Sequence, residues 1–174
     1  MKQALRKDAE KIARGAIDSV SPEAAVRRSL EGKTFSGKLY LVSVGKAAWK
    51  MAEVAASCLE QPLEAGIVVT KYDHVAHPVP GVPCYEAGHP VSDENTFRAT
   101  QAVLDMTADL DKSDTVLFLL SGGGSALFEQ PVVAEAELQS ITRQLLACGA
   151  DIVEMNTIRK RLSAVKGGRF ALHC

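Results

Sequence analysis

The stretch Phe118-Leu-Leu-Ser-Gly-Gly-Gly-Ser-Ala-Leu-Phe128 reads as a buried strand that runs into a glycine loop and then a helix start. The residues leading into the loop, Asp114-Thr-Val-Leu-Phe-Leu-Leu120, form a short, nearly continuous apolar run. Such a run is expected of a strand covered on both faces, as in a parallel sheet. Ser121, Gly122, Gly123, Gly124 and Ser125 follow at once. Three glycines free the backbone for positive φ and let a ligand approach the main chain. Backbone N–H groups in such a turn, with a helix N-terminus behind them, make an anion site. Ser121 and Ser125 add hydroxyl donors. The competing reading is a flexible strand-to-helix connection, but linkers seldom follow a buried strand so abruptly.

The rest of the chain repeats this alternation. Residues 2–20 are expected to form an amphipathic helix with Leu5, Ala9, Ile12, Ala13, Ala16, Ile17 and Val20 on one stripe. Ser21-Pro22 restarts a helix that ends at Gly32, with Ser21 as N-cap and Pro22 at the first helical position. Residues 38–44 are the first strand, Gly45-Lys46 the turn, and residues 47–59 a helix of good formers. Residues 64–70 are the second strand, 71–81 a loop with His74, His77, Pro78 and Pro80, and 82–87 a short third strand. Ser92 or Asp93 caps a helix to about residue 110, and the strand at 114–120 follows. Residues 135–148 form another helix, Asp151 caps a last one to about residue 162, and Gly167-Gly168 interrupts the chain near its end. Strands separated by helices imply right-handed β-α-β crossovers: an α/β, three-layer, Rossmann-like domain with a mainly parallel sheet flanked by helices. Ligands of such folds sit at the carboxyl ends of strands, where Gly45-Lys46, Ser121–Ser125 and the loop after Thr70 lie.

A length of 174 residues fits one domain, or one domain and part of another. With 47% hydrophobic and 24% charged residues the composition is ordinary for a globular protein. A net charge of −1 gives no reason to expect nucleic-acid or membrane-surface binding. Cys58, Cys84, Cys148 and Cys174 form no CxxC and no zinc spacing, as expected of reduced thiols in a cytoplasmic protein. No apolar run approaches membrane-spanning length.

Lys46 stands in Ser43-Val-Gly-Lys-Ala47, at a strand-to-helix turn. The stretch is not a Walker A loop: position 40 is Tyr and position 47 is Ala, so the first glycine and the metal-binding hydroxyl are both missing. What remains is an ammonium beside a helix N-terminus, suited to phosphate or carboxylate. A lysine there opposes the macrodipole, which favours a ligand role over a solvated surface lysine. At 100° per residue Asn156, Arg159 and Lys160 share one helix face, and Lys166 extends the basic cluster. That face suits an anionic substrate or a transferring phosphoryl group, with an ordinary solvated surface as the alternative. His74 and His77 sit among prolines, so metal-ligand spacing does not follow, and a loop contact is the better reading. His89 is read as structural or as lining the cleft. Asp73, Asp93 and Glu94 read as caps or surface acids as readily as chemical ones. No GxSxG elbow supports acyl transfer.

Five pieces now stand together: Val44-Gly-Lys-Ala-Ala48, Gly88-His-Pro90, Leu120-Ser-Gly-Gly-Gly-Ser-Ala-Leu127, Asn156-Thr-Ile-Arg-Lys-Arg-Leu-Ser163 and Val165-Lys-Gly-Gly-Arg169. In order and spacing they resemble the glycerate 2-kinase family, whose members also go under the name hydroxypyruvate reductase. The resemblance covers nearly the whole chain. It implies phosphorylation of D-glycerate at its 2-hydroxyl by ATP, giving 2-phosphoglycerate, with Mg2+ as divalent cation. It also implies an active site in a cleft between a Rossmann-like N-terminal domain and a distinct C-terminal domain. On that reading residues 1–174 are an incomplete N-terminal domain, a fragment that lacks the metal-holding acidic segment and is inactive by itself. Carried over, Lys46 is the catalytic cation, Ser121 to Ser125 cradle phosphate, and Asn156, Arg159 and Lys160 line the substrate cleft. Apolar surface left uncovered would favour self-association into a homo-oligomer. The alternative is a non-catalytic phosphosugar-binding module of the sugar-isomerase type, which needs neither Lys46 nor the Asn156–Lys160 run. A reductase is the poorer third reading, since SGGGS is not GxGxxG and no acidic residue stands where a ribose contact would follow.

Overall fold

A computed structural model describes residues 2–174. Four parallel strands, β1 (Leu39–Val44), β2 (Ala65–Lys71), β3 (Cys84–Ala87) and β4 (Thr115–Leu120), form one sheet in the order β3-β2-β1-β4. The helices are α1 (Lys2–Ser19), α2 (Pro22–Leu30), α3 (Ala48–Cys58), α4 (Glu94–Met106), α5 (Gly124–Leu127), α6 (Glu135–Ala147), α7 (Ile152–Arg161) and α8 (Arg169–His173). The α/β class and parallel sheet are as the alternation of elements implies.

The two faces of the sheet follow the period-two alternation of strand side chains. Leu41 and Val68 point to one face and pack with Val26 and Leu30 of α2 and Ala48, Ala52 and Ala55 of α3. Val42, Val44, Ile67 and Val69 point to the other and meet Ala99 and Val103 of α4 and Leu127 of α5. β1 is buried along its whole length, as a central strand between two helix layers should be. Its register decides where the site lies. Val44 pairs with Val69 on one side and Leu120 on the other, so β1, β2 and β4 end at one level.

Local signals explain the helix starts. Ser21 accepts the Ala24 N–H, with Pro22 at the first helical position. Asp93 and Thr96 form a reciprocal capping box at α4, as do Asp151 and Glu154 at α7. The α4 helix ends at Met106, short of residue 110, where the Thr107 hydroxyl donates to Val103 O.

Three expectations are corrected. The 114–120 run is not covered on both faces: β4 is an edge strand, half-buried from Thr115 to Leu119, with Leu120 62% exposed. An apolar run reports the residues' preference for burial, not the presence of a neighbour on each side. The helix expected over residues 2–20 is present as α1, but no core covers its apolar stripe, for Leu5, Ile12, Ile17 and Val20 are 62–76% exposed. Gly167-Gly168 does not only interrupt the chain. Gly168, at φ +88°, opens the short helix α8, whose Phe170 stacks edge-on with Phe128 and packs on Phe118.

Candidate anion-binding site at the strand ends

Two turns, one after β1 and one after β4, are fastened to each other. Ser121 N donates to Val44 O, Lys46 N to Gly122 O at 2.9 Å, and Ala47 N to the Ser121 hydroxyl at 3.0 Å. Gly45 N donates across to Val69 O at the end of β2. Gly45 has φ +120°, and a Cβ there would lie 2.6 Å from Ser121 O, so glycine alone permits this approach. Ser121 therefore holds the turns together through its hydroxyl rather than offering it to a ligand. The N–H groups of Gly122, Gly123 and Ser125 donate to no acceptor among the described residues. They are the donors left for an anion.

Lys46 stands beside them, exposed at the mouth. A Cβ on Gly123 would lie 3.3 Å from Lys46 Cε and 3.0 Å from both Cδ2 and Nε2 of His89. Lysine stem, imidazole and glycine backbone thus meet at one point. His74 supports the same turn, its Nδ1 lying 2.8 Å from Lys46 O, while the Glu86 carboxylate accepts the His74 and Val75 N–H groups. Burial holds the His89 imidazole below the usual histidine range, and the charges of Lys46 and Lys71 depress it further. Lys71 ends β2, so two ammonium groups face this corner. The arrangement favours an anion and disfavours a protonated His89.

The helix α7 approaches from the other side of the glycine loop. Arg159 Nη2 donates to Ser125 O at 2.8 Å. A pocket of about 420 Å³ opens between them, walled by Leu120, Ser125, Asn156 and Lys160 over Phe118 and Phe170. The structure therefore brings Lys46 to Gly123, and Asn156, Arg159 and Lys160 to Ser125. No hydrogen bond among the described residues joins Lys46 to α7 directly. A larger groove of about 670 Å³ lies by Arg27, Phe35 and Cys58, away from the strand ends, and carries none of these convergent groups.

Beneath α5 sits Glu129, 1% exposed, with its Oε2 2.8 Å from Lys166 Nζ. That is an ion-pair distance, but the carboxylate oxygens lack a well-directed hydrogen bond, and Lys166 donates to Phe128 O instead. Burial lowers the Lys166 pKa, and attraction to Glu129 offsets only part of this. Arg159 is likewise lowered by burial and raised by Glu129. One carboxylate thus faces two cations, Arg159 anchored to a carbonyl of α5 and Lys166 to the carbonyl of Phe128 just after it. Sequence reasoning passed over Glu129 and Lys71. A lone charge directly after Ala126-Leu-Phe128 was the available signal for Glu129; a cation at the carboxyl end of a strand was the signal for Lys71. His77 contacts Glu53 at 3.1 Å and Trp49, a loop contact as expected. Among the described residues no group of three His, Cys, Asp or Glu side chains stands close enough to hold a metal ion.

A family model described as a domain of unknown function, DUF4147, matches residues 8–174. The chain belongs to this family. The DUF4147 chain is 50% identical over 171 residues to the D-glycerate 2-kinase of Thermotoga maritima, a match covering 97% of this chain and 41% of that protein. It is 38% identical over 158 residues to an Agrobacterium vitis protein carrying a hydroxypyruvate reductase name, covering 90% of this chain and 36% of the relative. The crystal structure of a Thermotoga maritima glycerate kinase superposes with a TM-score of 0.93 at 48% identity, over 98% of this chain and 42% of that one. The resemblance to glycerate 2-kinases is therefore one of sequence and fold. The DUF4147 chain spans about two-fifths of the length of these relatives.

Proposed function

We propose that this chain is the N-terminal, phosphate-handling part of an enzyme that transfers the γ-phosphoryl group of ATP to the 2-hydroxyl of D-glycerate, giving 2-phosphoglycerate. The observation that carries the reading is the convergence of Lys46 with unpartnered N–H groups of the glycine loop at the ends of β1 and β4. Phosphoryl transfer asks mainly for positioning and for charge placed where negative charge develops. Lys46 supplies the mobile cation, and Gly122, Gly123 and Ser125 supply fixed dipoles. The donor set fits the anionic oxygens of a nucleoside triphosphate. Asn156, Arg159 and Lys160 border the loop where a small carboxylate substrate would lie, with Arg159 also holding the loop through Ser125 O. A divalent cation such as Mg2+ would shield phosphate charge. The setting is cytoplasmic on this reading; no helix among the described residues is long and apolar enough to cross a membrane.

The test is a coupled kinase assay on the full product of the gene with D-glycerate and Mg-ATP, identifying the phosphoglycerate isomer. Formation of 2-phosphoglycerate is expected. Lys46→Ala is expected to cut kcat by about 10²–10³-fold, the scale for removing one preorganised charge-stabilising donor. Near-normal turnover in that variant would remove Lys46 from the chemistry. Phosphosugar binding without turnover would recast the loops as a passive anion site.

A further inference from the structure

We propose that His89 is the general base that accepts the proton of the substrate hydroxyl as that oxygen takes the phosphoryl group, an assignment that rests on the kinase reading above. The first support is place. Gly88-His-Pro90 leaves β3, the outer strand, yet its imidazole lies against Gly123 and Lys46 on the far side of the sheet's mouth. Any side chain at position 123 would occupy the space of the imidazole edge, at 3.0 Å from Cδ2 and Nε2. A hydroxyl brought to a phosphoryl group held by Lys46 and the loop donors arrives within reach of this ring.

The second support is the absence of another occupation. His74, His77 and His173 each place a ring nitrogen on a protein oxygen, whereas neither nitrogen of His89 has a hydrogen-bond partner among the described residues. The ring is nonetheless held in a fixed frame. Ser92 Oγ donates to Ala126 O at 2.6 Å, tying the segment to α5. Asp93 accepts the Thr96 N–H and the Tyr72 hydroxyl, tying the segment to the first turn of α4 and to the loop after β2. A positioned histidine with a free nitrogen beside a convergent anion site has the geometry of an acid–base group.

The third support is charge state. The charged groups facing the ring are Lys46 from the β1–α3 turn and Lys71 from the end of β2, and both add to the effect of burial in keeping it neutral. A neutral imidazole offers a lone pair at neutral pH, as the step requires. The hydroxyl proton moves to the ring nitrogen while the hydroxyl oxygen's electron pair forms the new bond to the γ-phosphorus. The bond from that phosphorus to the bridging oxygen breaks, and the nucleoside diphosphate leaves with the electron pair. The imidazolium then stands beside the new phosphate ester and returns its proton to water.

The full product of the gene is assayed as wild type, His89→Asn and His89→Gln, with kcat and KM followed across pH. Expected is a fall in kcat of about 10²-fold or more with KM changed by less than about threefold, because the lost proton transfer acts in the transition state. The acidic limb of the wild-type kcat profile should disappear in both variants. A kcat within about twofold of wild type, or an unchanged acidic limb, overturns the assignment; so does a loss confined to KM. Wild type that fails to phosphorylate D-glycerate removes the kinase reading and the base with it, an outcome separate from an active wild type with an active variant. Ring-proton NMR of this chain gives a check independent of variant folding. The His89 resonance should titrate below the usual histidine range, and titration within or above that range overturns the assignment.

Discussion

Replacing Gly45 by alanine tests whether the site depends on two turns being fastened together. Gly45 sits at φ +120°, where a side chain costs on the order of 1 kcal/mol or more. Its Cβ would stand 2.6 Å from Ser121 O, a main-chain atom that cannot rotate away. The turns must part, which weakens Lys46 N to Gly122 O and Ala47 N to Ser121 Oγ. Those two bonds contribute about 1 kcal/mol each. The combined loss is about 3 kcal/mol, or a fall in Tm of roughly 6–12 °C for a domain of this size. The control is Gly122→Ala in the same loop. It has open space around the new methyl group and no positive φ, so its effect should stay within about 0.5 kcal/mol. Thermal unfolding by circular dichroism, with urea midpoints beside it, reads both. Equal Tm values for the two variants would refute the reasoning.

Glu129→Ala leaves the Lys166 ammonium buried without its partner, and a loss of about 3 kcal/mol in urea is expected, partly recovered when Lys166→Met is added. A loss under about 0.5 kcal/mol would show that the pair does not hold this corner. Burial pushes the Asp93 carboxyl up, but donors from Tyr72, Gly88 and Thr96 outweigh it and hold its pKa below the usual aspartate value. Its contribution is therefore present above the unfolded-state pKa and is lost as pH falls through the lower folded-state value. Asp93→Asn should flatten the acid side of the stability profile, and an unchanged acid transition would count against the assigned contacts. The exposed stripe of Leu5, Ile12, Ile17 and Val20 should drive concentration-dependent association, abolished by Ile12→Lys with Ile17→Lys. Sedimentation as a monomer at all concentrations would sink that expectation.

Much of the fold was legible because the informative signals are local. Strand runs, Ser21, Asp93 and Asp151 as caps, and glycines at the turns each declare themselves within a few residues. Lys46 and the glycine loop were readable for the same reason: a cation and three glycines directly after apolar strands. What was not legible depends on neighbours. The half-buried state of β4 follows from its edge position, which no pattern within residues 115–120 encodes. The hydroxyl of Ser121 reads as a ligand donor until Ala47 is seen to use it. His89 stood among several plain histidines, and only the tertiary fold sets it against Gly123. Glu129 offered only a lone charge after an apolar run, because its partners, Lys166 and Arg159, come from later segments.

The bond from Ala47 to Ser121 joins residues 74 apart in the chain. High contact order of this kind slows folding, since loop closure must precede any energetic return. Lys46 precedes β4 in the chain, and it has no anion cradle until β4 is made and docked on β1. Capture of an anionic probe by a refolding chain should therefore lag the appearance of helix signal. It would report the last long-range closure rather than the first collapse.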